Sequence, residues 1–206
     1  LGPKKIAKLV IQNRPEVVIK SGKIDALLLG SGIADPANWF TNYRMRKLFN
    51  TDTPKVLDAG ALYLAGKNLA PTIITPHSGE LAKMLKCKSV EVEEEPKKYA
   101  LSAAKQFQVT VLLKGKYTIV TDGDRTIQLP AATSYLATAG TGDVLAGIIG
   151  ALIALNKNIV SKQNLIEIGA TAAYIHAKTA ELTSDGPISA SEMIHKIATS
   201  ITNITI

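Results

Sequence analysis

The sequence has 206 residues, 46% hydrophobic and 20% charged, which excludes a disordered or collagen-like chain and leaves room for one ordinary domain, or two very small ones, with a real core. Aromatic residues make only 5%, so that core has to be aliphatic, rich in Ala, Val, Ile and Leu. The formal net charge of +7 admits nucleic acid, a membrane surface or small anions as partners, with a Lys-rich solvated surface as the plainer reading.

Cys87 is the single cysteine, so an internal disulfide and a Cys-rich zinc site are excluded, and a reducing compartment fits. The N-terminus carries no apolar signal-peptide core, and the longest apolar run, 144–155, is about half of what a membrane span needs. A soluble cytoplasmic protein is expected. The first residue is Leu rather than Met, which points to a trimmed or incomplete chain.

In chain order, strand and helix patterns alternate. Residues 25–29 are a short apolar run ended by Gly30-Ser31-Gly32, a strand and then a Gly loop. Residues 39–49 have helical spacing, 55–58 read as a strand, 59–67 as a short helix, and 72–75 as a strand stopped by Pro76. Helices are predicted over 79–86 and 97–106. Between them the acidic run 91–95, followed by Pro96, reads as an exposed helix approach with its acids where the helix dipole favours them. Residues 109–113 form a β-branched strand, and 118–120 and 125–129 flank Asp122-Gly123 as a hairpin. Two long helices follow, 142–155 and 164–182, and Ser189 with Glu192 fits a capping box opening a last helix. Helix 142–155 is apolar nearly all round, which predicts burial, and Gly147 and Gly150 inside it predict close packing against a neighbouring element.

This alternation predicts an α/β fold, a parallel sheet with helices on both faces and the ligand beyond the carboxyl ends of the strands. That topology singles out the loops 30–34, 58–61, 75–80 and 114–117.

Thr138-Ala139-Gly140-Thr141-Gly142-Asp143 runs straight into the apolar helix. Glycines at a helix start let backbone N–H groups converge on an anion, and an Asp in that first turn can accept a proton from a hydroxyl about to meet a phosphate. A plain helix cap would need less. Lys114-Gly115-Lys116-Tyr117-Thr118 follows a strand; its lysine can hold phosphate as a point charge and its glycine admits a ligand to the backbone, or the stretch is simply a strand end and a turn. In Thr75-Pro76-His77-Ser78-Gly79-Glu80, His77 stands out because its loop lies at the ligand edge. His176 and His195 fall on helices and read as surface or internally satisfied residues. Three scattered histidines and one cysteine indicate no transition-metal site, while Mg²⁺ needs only one or two carboxylates with phosphate oxygens.

These three loops together resemble the signatures of the ADP/ATP-dependent NAD(P)H-hydrate dehydratases of the ribokinase-like superfamily. Val56-Leu57-Asp58-Ala59-Gly60-Ala61-Leu62 is similar to the family's Asp-Ala-Asp-Ala-Leu stretch, and Gly30-Ser31-Gly32 to its Gly-Pro-Gly loop. The resemblance covers roughly residue 25 to the end. Thr141 stands where the family often has Ser, Ser31 replaces Pro, Gly60 replaces the second Asp, and Ala132-Thr133-Ser134 replaces Gly-Asn-Pro. The family normally begins with a Gly-rich strand–loop–helix unit; here 4–19 looks like the point just after it, so the chain reads as a single domain over 1–206 that is short at its N-terminus.

The resemblance implies a three-layer αβα sandwich with a mostly parallel sheet. It implies dehydration of (6S)-NADHX or (6S)-NADPHX to the reduced cofactor, with ADP converted to AMP and phosphate, or with ATP in its place. It implies Asp143 as the proton acceptor; Lys114, Gly115, Lys116, Tyr117, Thr118, Gly140, Thr141 and Gly142 as nucleotide residues; Gly32, His77 and Asp143 against the hydrated cofactor; and Glu80 near a Mg²⁺ ion. It also implies a homotetramer. A small-molecule kinase of the same superfamily and a non-catalytic nucleotide-binding subunit are the competing readings. Nucleic acid is disfavoured, because aromatics are few and the lysines are dispersed.

Overall fold

The protein is described by a computed structural model over residues 4–18, 22–33 and 39–205. The elements run α1 (Lys4–Asn13), β1 (Leu27–Leu29), α2 (Trp39–Phe49), β2 (Lys55–Leu57), a 3-10 turn (Ala59–Leu64), β3 (Thr72–Ile74), α3 (Ser78–Leu85), α4 (Ser89–Glu94), α5 (Pro96–Phe107), β4 (Thr110–Leu113), β5 (Tyr117–Thr121), β6 (Thr126–Ala131), a second 3-10 turn (Ser134–Leu136), α6 (Thr141–Leu155), α7 (Leu165–Thr183) and α8 (Ala190–Thr205). One sheet carries the strands in the order β1-β2-β3-β4-β5-β6. β1 to β4 are parallel, and β4-β5 and β5-β6 are antiparallel. The sheet is therefore mostly parallel, as expected, with the predicted hairpin as its antiparallel margin.

The central strands are short and buried on both faces, and mostly apolar; the buried Lys55 and Thr72 at their starts hydrogen-bond to loop carbonyls. Leu57, Ile74, Val111 and Leu113 pack with Phe49, Leu81, Val92 and Ala100, and so against α2 to α5. Val56, Ile73, Leu112 and Val120 pack with Leu145, Ile149, Leu165 and Ile166, and so against α6 and α7. Alternate residues of each strand thus feed two separate cores, and each buried Leu, Ile or Val contributes about 1.5–3 kcal/mol. The result is the three-layer αβα sandwich.

Most predicted elements lie within a residue or two of the observed ones, but the helix expected over 59–67 is a 3-10 turn that ends at Leu64. The acidic run is itself helical, as α4, rather than only an approach to α5. The predicted reading gives no element before residue 25, whereas α1 occupies Lys4–Asn13. Residues 19 and 34, the ends of two predicted segments, lie outside the described residues.

α6 needs a correction. Val144, Leu145, Ala146, Ile148, Ile149 and Ile153 are buried, but Gly147, Ala151 and Leu155 are exposed along one stripe. A Cβ placed on Gly147 or Gly150 meets nothing within 4 Å, so neither glycine serves close packing. Glycine there only costs helix stability. Gly147→Ala is expected to stabilise the fold by about 0.5–1 kcal/mol, read as a higher urea midpoint at unchanged m. The close approach lies elsewhere, at Gly169 of α7, where a Cβ would come within 2.7 Å of Ile73 Cδ1 and 3.0 Å of Val120 Cγ1.

Candidate functional site

The carboxyl ends of β1 to β4 and the start of α6 meet at one edge of the sheet. After β1, Ile33 N–H donates to Gly30 O at 2.9 Å and Gly32 has φ +68°, a type II turn with Ser31 at its second position. Proline favours that position, so Ser31 keeps the turn of a Gly-Pro-Gly loop and adds a hydroxyl. Gly30 is pinned: its φ is +96° and a Cβ would lie 1.9 Å from Asp58 O. Thus fixed, the Ser31 hydroxyl donates to Asp143 Oδ1.

β2 ends at Asp58, which is buried at 3% exposure. Its Oδ1 accepts from Thr75 Oγ1 at 2.7 Å and from Lys114 Nζ at 3.2 Å. β3 leads through Pro76 to His77, which forms a parallel bridge with Lys114 beyond β4. His77 caps α3 with its ring: Nδ1 accepts from Gly79 N–H at 3.1 Å and Glu80 N–H at 3.3 Å, and Glu80 Oε2 accepts from His77 N–H at 2.8 Å in return. This reciprocal cap leaves the proton of a neutral imidazole on Nε2, which lies 3.5 Å from Glu80 Oε2. Lys114 Nζ lies 3.8 Å from Glu80 Oε2, and a Cβ placed on Gly142 would lie 3.5 Å from it. One ammonium therefore sits among two carboxylates and the first turn of α6.

That first turn has free donors that an anion could take. Gly140 is its N-cap at φ +88°, Thr141 N–H donates to Thr138 O at 3.3 Å, and Val144 N–H donates to Gly140 O at 3.1 Å. Among the described residues the Gly142 and Asp143 N–H groups have no backbone acceptor. Two orphan amides at a helix N-terminus with an ammonium beside them favour a phosphate. Thr141 itself is buried, its hydroxyl shared between Leu136 O at 2.6 Å and Thr138 O at 2.7 Å, so it shapes the turn rather than offering its side chain to a ligand.

Two cavities open here. One of about 660 Å³ is lined by His77, Lys114, Gly115, Lys116, Thr118, Thr138, Gly142 and His176 among others. The other, about 620 Å³, is lined by Ile33, Gly60, Tyr63, His77, Glu80 and Lys83 among others. His77 belongs to both walls. Tyr117 is exposed at the start of β5 and lines neither; its ring lies 5.5 Å from Lys116 Nζ. Gly32 and Asp143 are exposed at the rim. Among the described residues no group of three or more His, Cys, Asp or Glu could hold a metal ion. Glu80, in the wall of the second cavity, suits a cation such as Mg²⁺ that takes its other ligands from phosphate and water, while Asp58 is buried and paired with Lys114. No helix among the described residues is long and apolar enough to cross a membrane.

Two residues outside the predicted set belong to this geometry. Asp58 is an acid directly after a strand at the ligand edge, a signal the sequence did carry. His176, read as satisfied or on the surface, is buried in α7 with Nε2 2.9 Å from Thr141 O, in the wall of the larger cavity. Burial pushes its imidazole down from 6.5 to about 4; Lys114 pushes the same way, against the bond to Thr141. An unfolded His takes its proton near 6.5 while the folded one resists to about 4, so its contribution is whole above pH 6.5 and is lost as pH falls to about 4. The loss amounts to about 3 kcal/mol. Urea midpoints of the parent are expected to fall more steeply between pH 7 and 4.5 than those of His176→Gln; equal slopes would contradict the buried neutral imidazole.

A profile of the NAD(P)H-hydrate dehydratase family matches residues 4–203. The bifunctional NAD(P)H-hydrate repair enzyme Nnr of Mycobacterium leprae is 32% identical over 216 residues, covering 93% of this chain and 42% of that protein. The ADP-dependent (S)-NAD(P)H-hydrate dehydratase of Bacillus subtilis is 30% identical, over 84% of this chain and 61% of its own length. The chain thus spans between two fifths and about three fifths of these curated relatives. The solved ADP/ATP-dependent NAD(P)H-hydrate dehydratase from Bacillus subtilis, co-crystallised with ATP and Mg²⁺, superposes with a TM-score of 0.80 at 24% identity, covering 97% of this chain and 76% of that one, a likeness of fold.

Proposed function

The chain belongs to the NAD(P)H-hydrate dehydratase family, and we propose that it uses the terminal phosphoryl group of ADP or ATP to return hydrated NADH or NADPH to the reduced cofactor. The observation that carries this reading is the juxtaposition at the start of α6: two unpartnered amides and the Lys114 ammonium on one side, and the Asp143 carboxylate at the rim. Hydroxide is a poor leaving group and phosphate a good one. Asp143 takes the proton of the ring hydroxyl as its oxygen attacks the terminal phosphorus, and AMP (or ADP) leaves. The Gly142 and Asp143 amides and Lys114 hold the transferring phosphoryl oxygens. Phosphate then departs with the carbon–oxygen bond and a neighbouring ring proton is lost, giving the reduced nicotinamide.

The larger cavity takes the nucleotide, with Lys114, Gly115, Lys116, Thr118, Gly140 and Gly142 around its phosphates. Thr141 holds the turn, and Tyr117 stays at the margin. The second cavity takes the hydrated cofactor, with the His77 Nε2–H as a donor between the two and Gly32 at the rim. Mg²⁺ bound with the nucleotide would neutralise phosphate charge, with Glu80 as its protein side; the Bacillus subtilis structure obtained with ATP and Mg²⁺ supports the choice of ion. The reading takes the chain as one ribokinase-like domain, homotetrameric and cytoplasmic.

The test supplies NADHX with ADP, and separately with ATP, each with Mg²⁺, and follows recovery of NADH absorbance. Recovery with formation of AMP or ADP and phosphate supports the proposal. No recovery with either nucleotide overturns it, and a stable phosphorylated product in place of NADH would assign a kinase instead.

A further inference from the structure

We infer that His176 is a positioning residue for the nucleotide, its Nε2–H holding the peptide between Thr141 and Gly142 so that the Gly142 N–H faces the bound phosphate; this role rests on the nucleotide reading above. Thr141 is tied at several points. Its N–H and hydroxyl reach only Thr138 O and Leu136 O, at 2.6–3.3 Å, and those bonds move with the segment 136–141. The bond from His176 at 2.9 Å ties the same residue to α7, in a different part of the chain.

The turn needs such an anchor. Glycines flank Thr141 on both sides, and Gly140 stands at φ +88°. Glycine backbone has more conformations open than any other, so an anchor on the residue between them restricts the loosest link. A trans peptide is planar, with its C=O and N–H pointing in opposite directions. Thr141 opens α6, whose own bonding orients this peptide, and the donor on Thr141 O reinforces the direction of the Gly142 N–H, one of the two amides left for the anion.

α7 is a firm base for the anchor. Gly169 lets it close on the sheet, where a Cβ would meet Ile73 Cδ1 at 2.7 Å. A carbonyl partner requires a donor, and a neutral imidazole meets it with Nε2–H, leaving Nδ1 bare. The ring also lies in the wall between the 660 Å³ cavity and a smaller one of about 220 Å³ lined by Leu129, Leu136 and Tyr174.

The experiment is calorimetric titration of ADP into the parent, His176→Leu and His176→Gln at pH 7, with melting curves on the same samples. The Gln side-chain amide can present an N–H where the imidazole Nε2–H lies. His176→Leu is expected to raise the Kd for ADP about tenfold, and His176→Gln to stay within about threefold of the parent. A purely structural role would show in the melting curves and leave the Kd for ADP of the folded variants near that of the parent. ADP binding by His176→Leu equal to the parent, or loss in His176→Gln as large as in His176→Leu, overturns the role while the nucleotide reading stands on the parent's own binding. A parent that binds neither ADP nor ATP overturns both. Should His176→Leu not fold, His176→Phe keeps a ring in place without the donor and carries the same expectations.

Discussion

Asp143→Asn is expected to lower NADH recovery by about 10²–10⁴-fold while leaving the melting temperature and the affinity for ADP near those of the parent. The substitution keeps size and shape and removes only the ability to take a proton. Nothing in the phosphate cradle depends on that ability. The Gly142 and Asp143 amides are backbone, Lys114 Nζ stays beside Gly142, and the Ser31 hydroxyl can donate to the Asn carbonyl as it does to Asp143 Oδ1. The loss should therefore appear in kcat with KM for ADP little changed, the pattern of an interaction made only in the transition state. Single-turnover mixing of enzyme, ADP and NADHX checks it. An Asn variant as fast as the parent would remove Asp143 from the chemistry and leave His77 or the Glu80–Asp58 pair as the groups to test.

The turn that carries Asp143 is legible in the sequence for a local reason. A Gly-Thr-Gly-Asp turn entering an apolar helix is a local pattern, and helix N-termini bind anions for local reasons. β4 and the 122–125 loop were visible on the same ground. Asp122 Oδ1 accepts from Arg125 N–H at 2.7 Å, a side chain turning its own backbone. The loop edges followed from topology alone, because a parallel sheet exposes its ligand at the carboxyl ends. Asp58 stood in one of those loops, and what singles it out, the pair with Lys114 across 56 residues, is a tertiary fact. His176 is further from view. It meets Thr141 across 35 residues through the packing of α6 on α7, and no spacing rule joins the two. Gly147 misled for the opposite reason. Periodicity counts glycine as apolar, so a small exposed stripe on α6 reads the same as a buried one.

Lys114→Met is the second large effect, and it should divide in two. On the proposed reading the ammonium serves the site twice, once toward the phosphate and once toward the protein. With its loss, a charge-assisted contact to phosphate disappears, and the Kd for ADP is expected to rise by roughly 10–100-fold. The buried Asp58 also loses its counter-ion, keeping only Thr75 Oγ1 at 2.7 Å on the same oxygen. Breaking a fully buried pair costs about 3–5 kcal/mol, and with Lys114 24% exposed the cost here falls to about 1–2 kcal/mol. Adding Asp58→Asn separates the two roles. Asn keeps an oxygen for Thr75 and carries no charge to strand, so the double variant should recover most of the stability of Lys114→Met. It has no ammonium beside Gly142, so it should not recover ADP binding. Urea titrations and calorimetry on the four proteins of this cycle measure both quantities. If ADP affinity returned together with stability, Lys114 would act only by neutralising Asp58, and the phosphate would be held by the two amides of α6 alone.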